Sequence, residues 1–140
     1  MSDIVTTKLA DTGVLTVCLN RPEVLNSLNR PIVERLTEVL IGADKDDGVR
    51  AIIVTGEGRG FCAGADLANG QWPSNEGWSG GDVTANAMET GYNPLVRALV
   101  HNSKPVVTAV NGVAAGGGVG IALAGDIVIA GESAKFKLVF

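Results

Sequence analysis

Little in this chain is suited to the commonest active-site chemistries. Histidine occurs once, at His101, and cysteine twice, at Cys18 and Cys62. No cluster of His, Cys and carboxylate falls at metal-ligand spacing, so no metal is expected. The two cysteines lie in strand-like and loop contexts and do not make a disulfide framework; a reducing, cytoplasmic setting is the simpler expectation. Aromatic side chains are only 4% of residues, so the core must be built from small aliphatics. Basic residues number 11 against 15 acidic ones, a net charge of −4, which argues against a nucleic-acid partner. No apolar run approaches the ~18 residues of a membrane-spanning helix. The opening MSDIVTTKLAD is not a signal peptide. Gly-Lys-Ser/Thr is missing, which excludes a P-loop. Neither an internal repeat nor a linker is visible.

What is present is 46% hydrophobic residues and 19 glycines without periodicity. That composition describes a folded chain with many tight turns, and the length fits one domain, 1–140. Ile4–Leu9 and Val14–Leu19 read as strands around the turn Asp11-Thr12-Gly13. Asn20–Asn29 reads as a polar loop. A helix follows, with Pro31 in its first turn, Ile32, Val33, Leu36, Val39 and Leu40 at helical spacing, and Gly42 at its end. Val49–Thr55 is a short apolar run that fits a buried parallel strand. Asn69–Thr84 is polar and aperiodic, holds Trp72 and Trp78, and reads as a mobile loop. Asn93-Pro94 reads as the cap of a helix carrying Leu95, Val96, Leu99 and Val100 on one face. Asp126–Ala130 reads as a buried strand, and Ala134–Phe140 begins another. Alternating strands and helices make the class α/β. The apolar ending at Phe140 reads as a chain that stops inside an element.

The stretch Val106–Gly120, VVTAVNGVAAGGGVG, carries the strongest chemical signal. It reads as a buried strand, a tight turn and a glycine-rich entry into a helix. Glycines allow close backbone approach, and a helix start leaves free N–H groups that favour an anion. A dinucleotide is the familiar candidate. However, Gly56-x-Gly58-x-Gly60 lacks the full G-x-G-x-x-G fingerprint, and Gly116-x-Gly118-x-Gly120 has the wrong spacing. Gly77-Trp78-Ser79-Gly80-Gly81 matches the nucleophile-elbow pattern, but its flanks are polar loop where an elbow needs a strand and a helix. His101 reads as a surface residue at a helix end. Asp-Thr-Gly at 11–13 reads as a hairpin turn, not an aspartic-protease signature. Among the carboxylates, Asp66 could cap a following helix and Asp126 could bond backbone amides; none stands out for proton transfer. Two glycine turns remain, Ala63–Asp66 and Gly116–Gly118, each after a buried strand and each able to offer N–H. A converging pair of such donors is an oxyanion hole, worth roughly 3 kcal/mol per donor in acyl chemistry.

Four segments in this order, Arg21-Pro22-Glu23-Val24-Leu25-Asn26-Ser27-Leu28, Gly60-Phe61-Cys62-Ala63-Gly64-Ala65-Asp66-Leu67, Lys104-Pro105 and Asn111-Gly112-Val113-Ala114-Ala115-Gly116-Gly117-Gly118, resemble the crotonase (enoyl-CoA hydratase/isomerase) superfamily. The resemblance spans essentially the whole chain. It implies a spiral of repeated ββα units, incomplete at the C-terminus, in which C-terminal helices and a homotrimer or hexamer belong to the longer form. It implies an acyl-CoA ligand whose thioester oxygen lies between the N–H groups of Ala65 and Gly117. Adenine and pantetheine would run along Ala63–Ala68, so that Ala63, Ala65, Asp66, Leu67, Ala68 and Gly117 form the binding set. Coenzyme A would arrive as part of the substrate, with no separate bound cofactor. The segment Asn69–Gly91 would line the acyl pocket, and its composition leaves the acyl group open.

The departures from the family pattern point to an isomerase-like branch. Hydratases of the superfamily carry a glutamate two residues beyond the last motif glycine, where this chain has Gly120, and another at the position of Phe140. The resemblance therefore implies double-bond or ring isomerisation, with the acid/base residue expected beyond residue 140. The alternatives are an enoyl-CoA hydratase, a non-catalytic CoA-binding or oligomerising fragment and, from a different class, a dinucleotide-dependent oxidoreductase.

Overall fold

A computed structural model describes residues 3–139; Phe140, and the expectation placed on it, lie outside them. Strands β1 (Val5–Leu9) and β2 (Val14–Leu19) form an antiparallel hairpin with Val5 opposite Leu19. The helix α1 (Arg30–Lys45) starts where Asn29 accepts the Ile32 N–H at 3.2 Å, with Pro31 in the first turn. It buries Ile32, Val33, Leu36, Leu40 and Ala43. Gly42 does not end it. That glycine faces open space, and the burial of Ala43 outweighs a helix penalty of about 1 kcal/mol.

From here the chain repeats one pattern. β3 (Ala51–Gly56) and β4 (Gly60–Cys62) are followed by the helical stretch α2 (Gly80–Ala87), a π-helical turn Met88–Tyr92, and α3 (Asn93–Val100). β5 (Val106–Val110) and β6 (Val113–Ala115) are followed by α4 (Gly117–Leu123). β7 (Ile127–Ala130) and β8 (Lys135–Lys137) begin the next turn. The first strand of each pair joins a five-stranded sheet ordered β1-β2-β3-β5-β7, and the second joins a three-stranded sheet ordered β4-β6-β8. All pairings after the hairpin are parallel. The repeat is geometric; residue identity does not repeat, which is why the sequence conceals it.

Several expectations need correction. Val106–Gly120 holds two strands in different sheets, not one. Residues 20–29 form a polar loop with a short 3-10 turn at Pro22–Val24, as expected in outline, but Asn26, Ser27, Leu28 and Asn29 within it are buried. Asn26 earns its place through three bonds, accepting the Arg21 N–H at 2.8 Å and donating to the Glu57 and Gly60 carbonyls at 3.0 and 2.9 Å. The segment after Asn69 contains α2, started by a capping box in which Ser79 accepts from Asp82 N and the Asp82 carboxylate accepts from Ser79 N. Ser79 is thus a helix cap and not a nucleophile. Asn93 caps nothing, because the backbone is already helical at Tyr92. Of the α3 residues, Leu95 and Leu99 are buried, whereas Val96 and Val100 are exposed. β7 is exposed along its length, not buried, and forms the edge of its sheet.

Candidate functional site

The three-stranded sheet brings both glycine turns to one place. β4 and β6 lie side by side and parallel, so the chain leaves both at the same end of the sheet. Leaving β4, it turns at Gly64 with φ of +87°, a conformation that disfavours a side chain. A Cβ there would also stand 2.6 Å from the Ala115 carbonyl oxygen and 3.3 Å from the Gly117 nitrogen. Leaving β6, the chain enters α4 with Gly118 pressed against the Cys62 carbonyl, where any Cβ would overlap it. Two turns from distant parts of the sequence are therefore in backbone contact.

Ala65 forms a single parallel bridge with Leu28. Leu28 N–H donates to the Gly64 carbonyl at 2.7 Å, and Asp66 N–H donates to the Leu28 carbonyl at 2.9 Å. The neighbours of Ala65 thus bond towards Leu28, and alternation along an extended chain points the Ala65 N–H the other way. Among the described residues that N–H has no partner, and neither does the N–H of Gly117, the first residue of α4. Both residues are exposed and line one cleft of about 480 Å³.

The cleft wall includes Ala63, Ala65, Leu67 and Gly117 from the expected binding set. Asp66 and Ala68 are not part of it. The Asp66 side chain turns inward to Arg21, with Nη2 to Oδ2 at 3.0 Å, and is only 7% exposed. Its other oxygen accepts the N–H groups of Ala68 and Asn69 at 3.2 and 2.9 Å. Asp66 therefore caps a turn; no helix follows directly. The Asn69 N–H bond, with help from Arg21 and against the effect of burial, holds its carboxyl below the usual carboxylate range.

The remaining wall is mostly apolar, with Tyr92, Leu95, Val96 and Ile121 prominent and Asn93 among them. None of these was singled out as a site residue in the sequence. The one available signal was that Tyr92 is the chain's sole tyrosine. Its ring packs on Trp72 at 5.3 Å between centroids, and burial pushes its phenol pKa up. Trp72 is half-buried against the core. Gly120 also faces the cleft, with nothing within 4 Å of the position a Cβ would take. No carboxylate or imidazole lies among the described cleft residues. Cys62 is fully buried and its thiol is pushed up to about 12 by desolvation, so it remains a neutral packing group. His101 is exposed at the end of α3, as expected. Asp126 accepts the Val106 N–H at 2.8 Å, also as expected.

A family profile described as enoyl-CoA hydratase/isomerase matches residues 10–140. The chain belongs to this family. Its relatives include a 1,2-epoxyphenylacetyl-CoA isomerase of Escherichia coli, 48% identical, with the match covering 91% of this chain and 48% of the relative. A probable enoyl-CoA hydratase of Rhodobacter capsulatus is 41% identical, over 91% of this chain and 46% of its own. Solved structures of the same fold include an enoyl-CoA hydratase from Mycobacterium avium, with TM-score 0.81 and 36% identity over 100% of this chain and 52% of that one. A Pseudomonas aeruginosa protein superposes with TM-score 0.85 and 37% identity, over 100% of this chain and 58% of that one. The chain thus spans about half the length of the curated relatives it matches. The α/β architecture, with its winding of strand pairs and helices, is the crotonase fold of this family.

Proposed function

We propose that the cleft binds an acyl-CoA and polarises its thioester, with the carbonyl oxygen between the N–H groups of Ala65 and Gly117. The observation that carries this reading is the pair of unpartnered N–H groups on one apolar cleft, supplied by two turns in backbone contact. An N–H at a protein surface is ordinarily satisfied by water. In a dry, ligand-filled cleft the same donor is worth much more to an anionic oxygen. Two such donors make the carbon next to the thioester acidic, because the charge left by its departing proton is delocalised onto that oxygen. Returning the proton at another carbon moves a double bond. Ala63 and Leu67 would lie along the coenzyme A portion, and the apolar wall around Tyr92 would face the acyl chain. Coenzyme A enters only as part of the substrate.

Isomerisation is favoured over hydration by Gly120. It faces the cleft where the hydratases that this chain resembles carry a glutamate, and no carboxylate among the described cleft residues substitutes for it. The 48% identity to an epoxide isomerase acting on a CoA thioester supports the same branch. The absence of a carboxylate or imidazole among the described cleft residues also favours a second reading, in which the 140-residue chain binds acyl-CoA without turning it over.

The test is to assay the purified chain with crotonyl-CoA and with a 3-enoyl-CoA, while titrating both thioesters and free coenzyme A. Saturable binding, tighter for the thioesters than for free coenzyme A, is expected, with no hydration of crotonyl-CoA. Conversion of the 3-enoyl-CoA selects isomerisation, and binding without conversion selects the second reading. Hydration of crotonyl-CoA overturns the argument from Gly120, and failure to bind any of the three overturns the acyl-CoA reading.

A further inference from the structure

Ala65 lies in no strand or helix; a single bridge to Leu28 is its only regular contact. A donor carried by an irregular segment keeps its direction only if that segment is held from behind. The structure shows what holds it. Arg21 spreads its planar fork across two chain segments: Nη1 donates to the Ser27 carbonyl at 2.7 Å, and Nη2 donates to Asp66 Oδ2 at 3.0 Å. Ser27 precedes Leu28, and Asp66 follows Ala65. The guanidinium therefore ties together the two segments joined by the bridge that aims the Ala65 N–H.

We propose that the Arg21–Asp66 ion pair is a positioning device for the Ala65 donor, so that Asp66 acts behind the ligand and not upon it. The proposal rests on the reading of Ala65 as a thioester donor. Both carboxylate oxygens are already engaged, one by Arg21 and the other by the N–H groups of Ala68 and Asn69. The pair is also well shielded, with side-chain exposures of 13% for Arg21 and 7% for Asp66. A shielded, charge-assisted contact resists the fluctuations that would swing a surface loop. Lysine could not replace Arg21 in full, because a single ammonium lacks the fork that reaches both acceptors.

The readout must separate aim from mere folding. A conjugated thioester, cinnamoyl-CoA, absorbs at longer wavelength when its carbonyl is polarised, and free coenzyme A has no carbonyl at that position. The full 140-residue chain is compared with Asp66→Asn and Arg21→Lys, each checked for fold by circular dichroism. The wild-type chain should bind cinnamoyl-CoA with a red shift. In Asp66→Asn that shift should be lost and cinnamoyl-CoA affinity should fall by about tenfold or more, while free coenzyme A affinity stays within about twofold. Arg21→Lys should retain an intermediate shift. A folded Asp66→Asn with the full shift, or with equal losses for both ligands, overturns the proposal. Should Asp66→Asn not fold, the full wild-type shift in Arg21→Lys overturns it. Binding of cinnamoyl-CoA to the wild-type chain without any red shift overturns instead the reading of Ala65 and Gly117 as thioester donors, and the proposal with it.

Discussion

Asp66 is the residue on which charge and backbone geometry meet. Its folded-state pKa is depressed, first by the Asn69 N–H and then by Arg21, below a value of about 3.9 in an unfolded chain. A depressed carboxyl stabilises the fold above the unfolded pKa, and that stability is lost as pH falls through the lower folded value. Asp66→Asn should therefore lower stability by about 2 kcal/mol at pH 7, the scale of a hydrogen bond to a charged group. The gap to wild type should narrow below about pH 4 as the wild-type carboxyl is protonated. Urea unfolding at pH 7 and pH 3 measures both, and an unchanged gap would remove the ion pair from the account. Gly64→Ala tests the turn beside it. With φ of +87° and a carbonyl 2.6 Å from the new methyl, it should destabilise by about 2–3 kcal/mol. Its cinnamoyl-CoA binding should weaken too, read by the same urea series and by titration. At this scale the two glycine turns, Ala63–Asp66 and Gly116–Gly118, were legible, because small residues and glycines are themselves the signal; Ala65 and Gly117 within them came from the family resemblance. The sequence did not show that Asp66 faces inward, because its partner lies 45 residues away.

Elements were legible wherever burial imposes a period. The hairpin and the core face of α1 follow from the spacing of aliphatics, and the parallel pairing of β3 is read from its near-continuous apolar run, though only every second residue of it is fully buried. Misreadings came where local propensity was overruled by packing, as at Gly42, or where an element is short and polar, as in α2. The signal for α2 was present as Ser79 followed three residues later by Asp82, a capping box that the glycines around it obscured. α4 is the element in which glycine serves two ends. Gly118 is required by contact with Cys62, whereas Gly120 meets nothing. Gly120→Glu should accordingly fold, with stability unchanged or raised by up to about 1 kcal/mol, since glycine is the weaker helix former. Gly118→Glu should not fold. Circular dichroism and urea melts separate the two. A Gly120→Glu chain that collapsed would mean the cleft is occupied by protein, and the argument that this position is free for a carboxylate would fail.

At the scale of the molecule, the elements from α4 onward carry a run of exposed apolar side chains. In β7, Ile127, Val128 and Ile129 are exposed by 56, 39 and 58%, and Leu123, Leu138 and Val139 are exposed by 61, 74 and 64%. β7 ends the five-stranded sheet and β8 ends the three-stranded one, so both present unpaired backbone edges beside those side chains. An apolar edge strand is a template for pairing with another chain. The early core, by contrast, is closed: Val17, Leu19, Ile32, Leu36, Ile52 and Val54 are fully buried. The asymmetry predicts a chain that folds around the hairpin and α1 but associates through its later strands. Size-exclusion chromatography with light scattering should give a mass above 14.3 kDa that rises with concentration. Ile127→Lys combined with Ile129→Lys should shift that mass towards the monomer while leaving the unfolding midpoint within about 0.5 kcal/mol, since both side chains already face solvent. A monodisperse 14.3 kDa wild-type chain at high concentration would show that the β7 edge is protected, and the exposed apolar residues of β7 would then need another explanation.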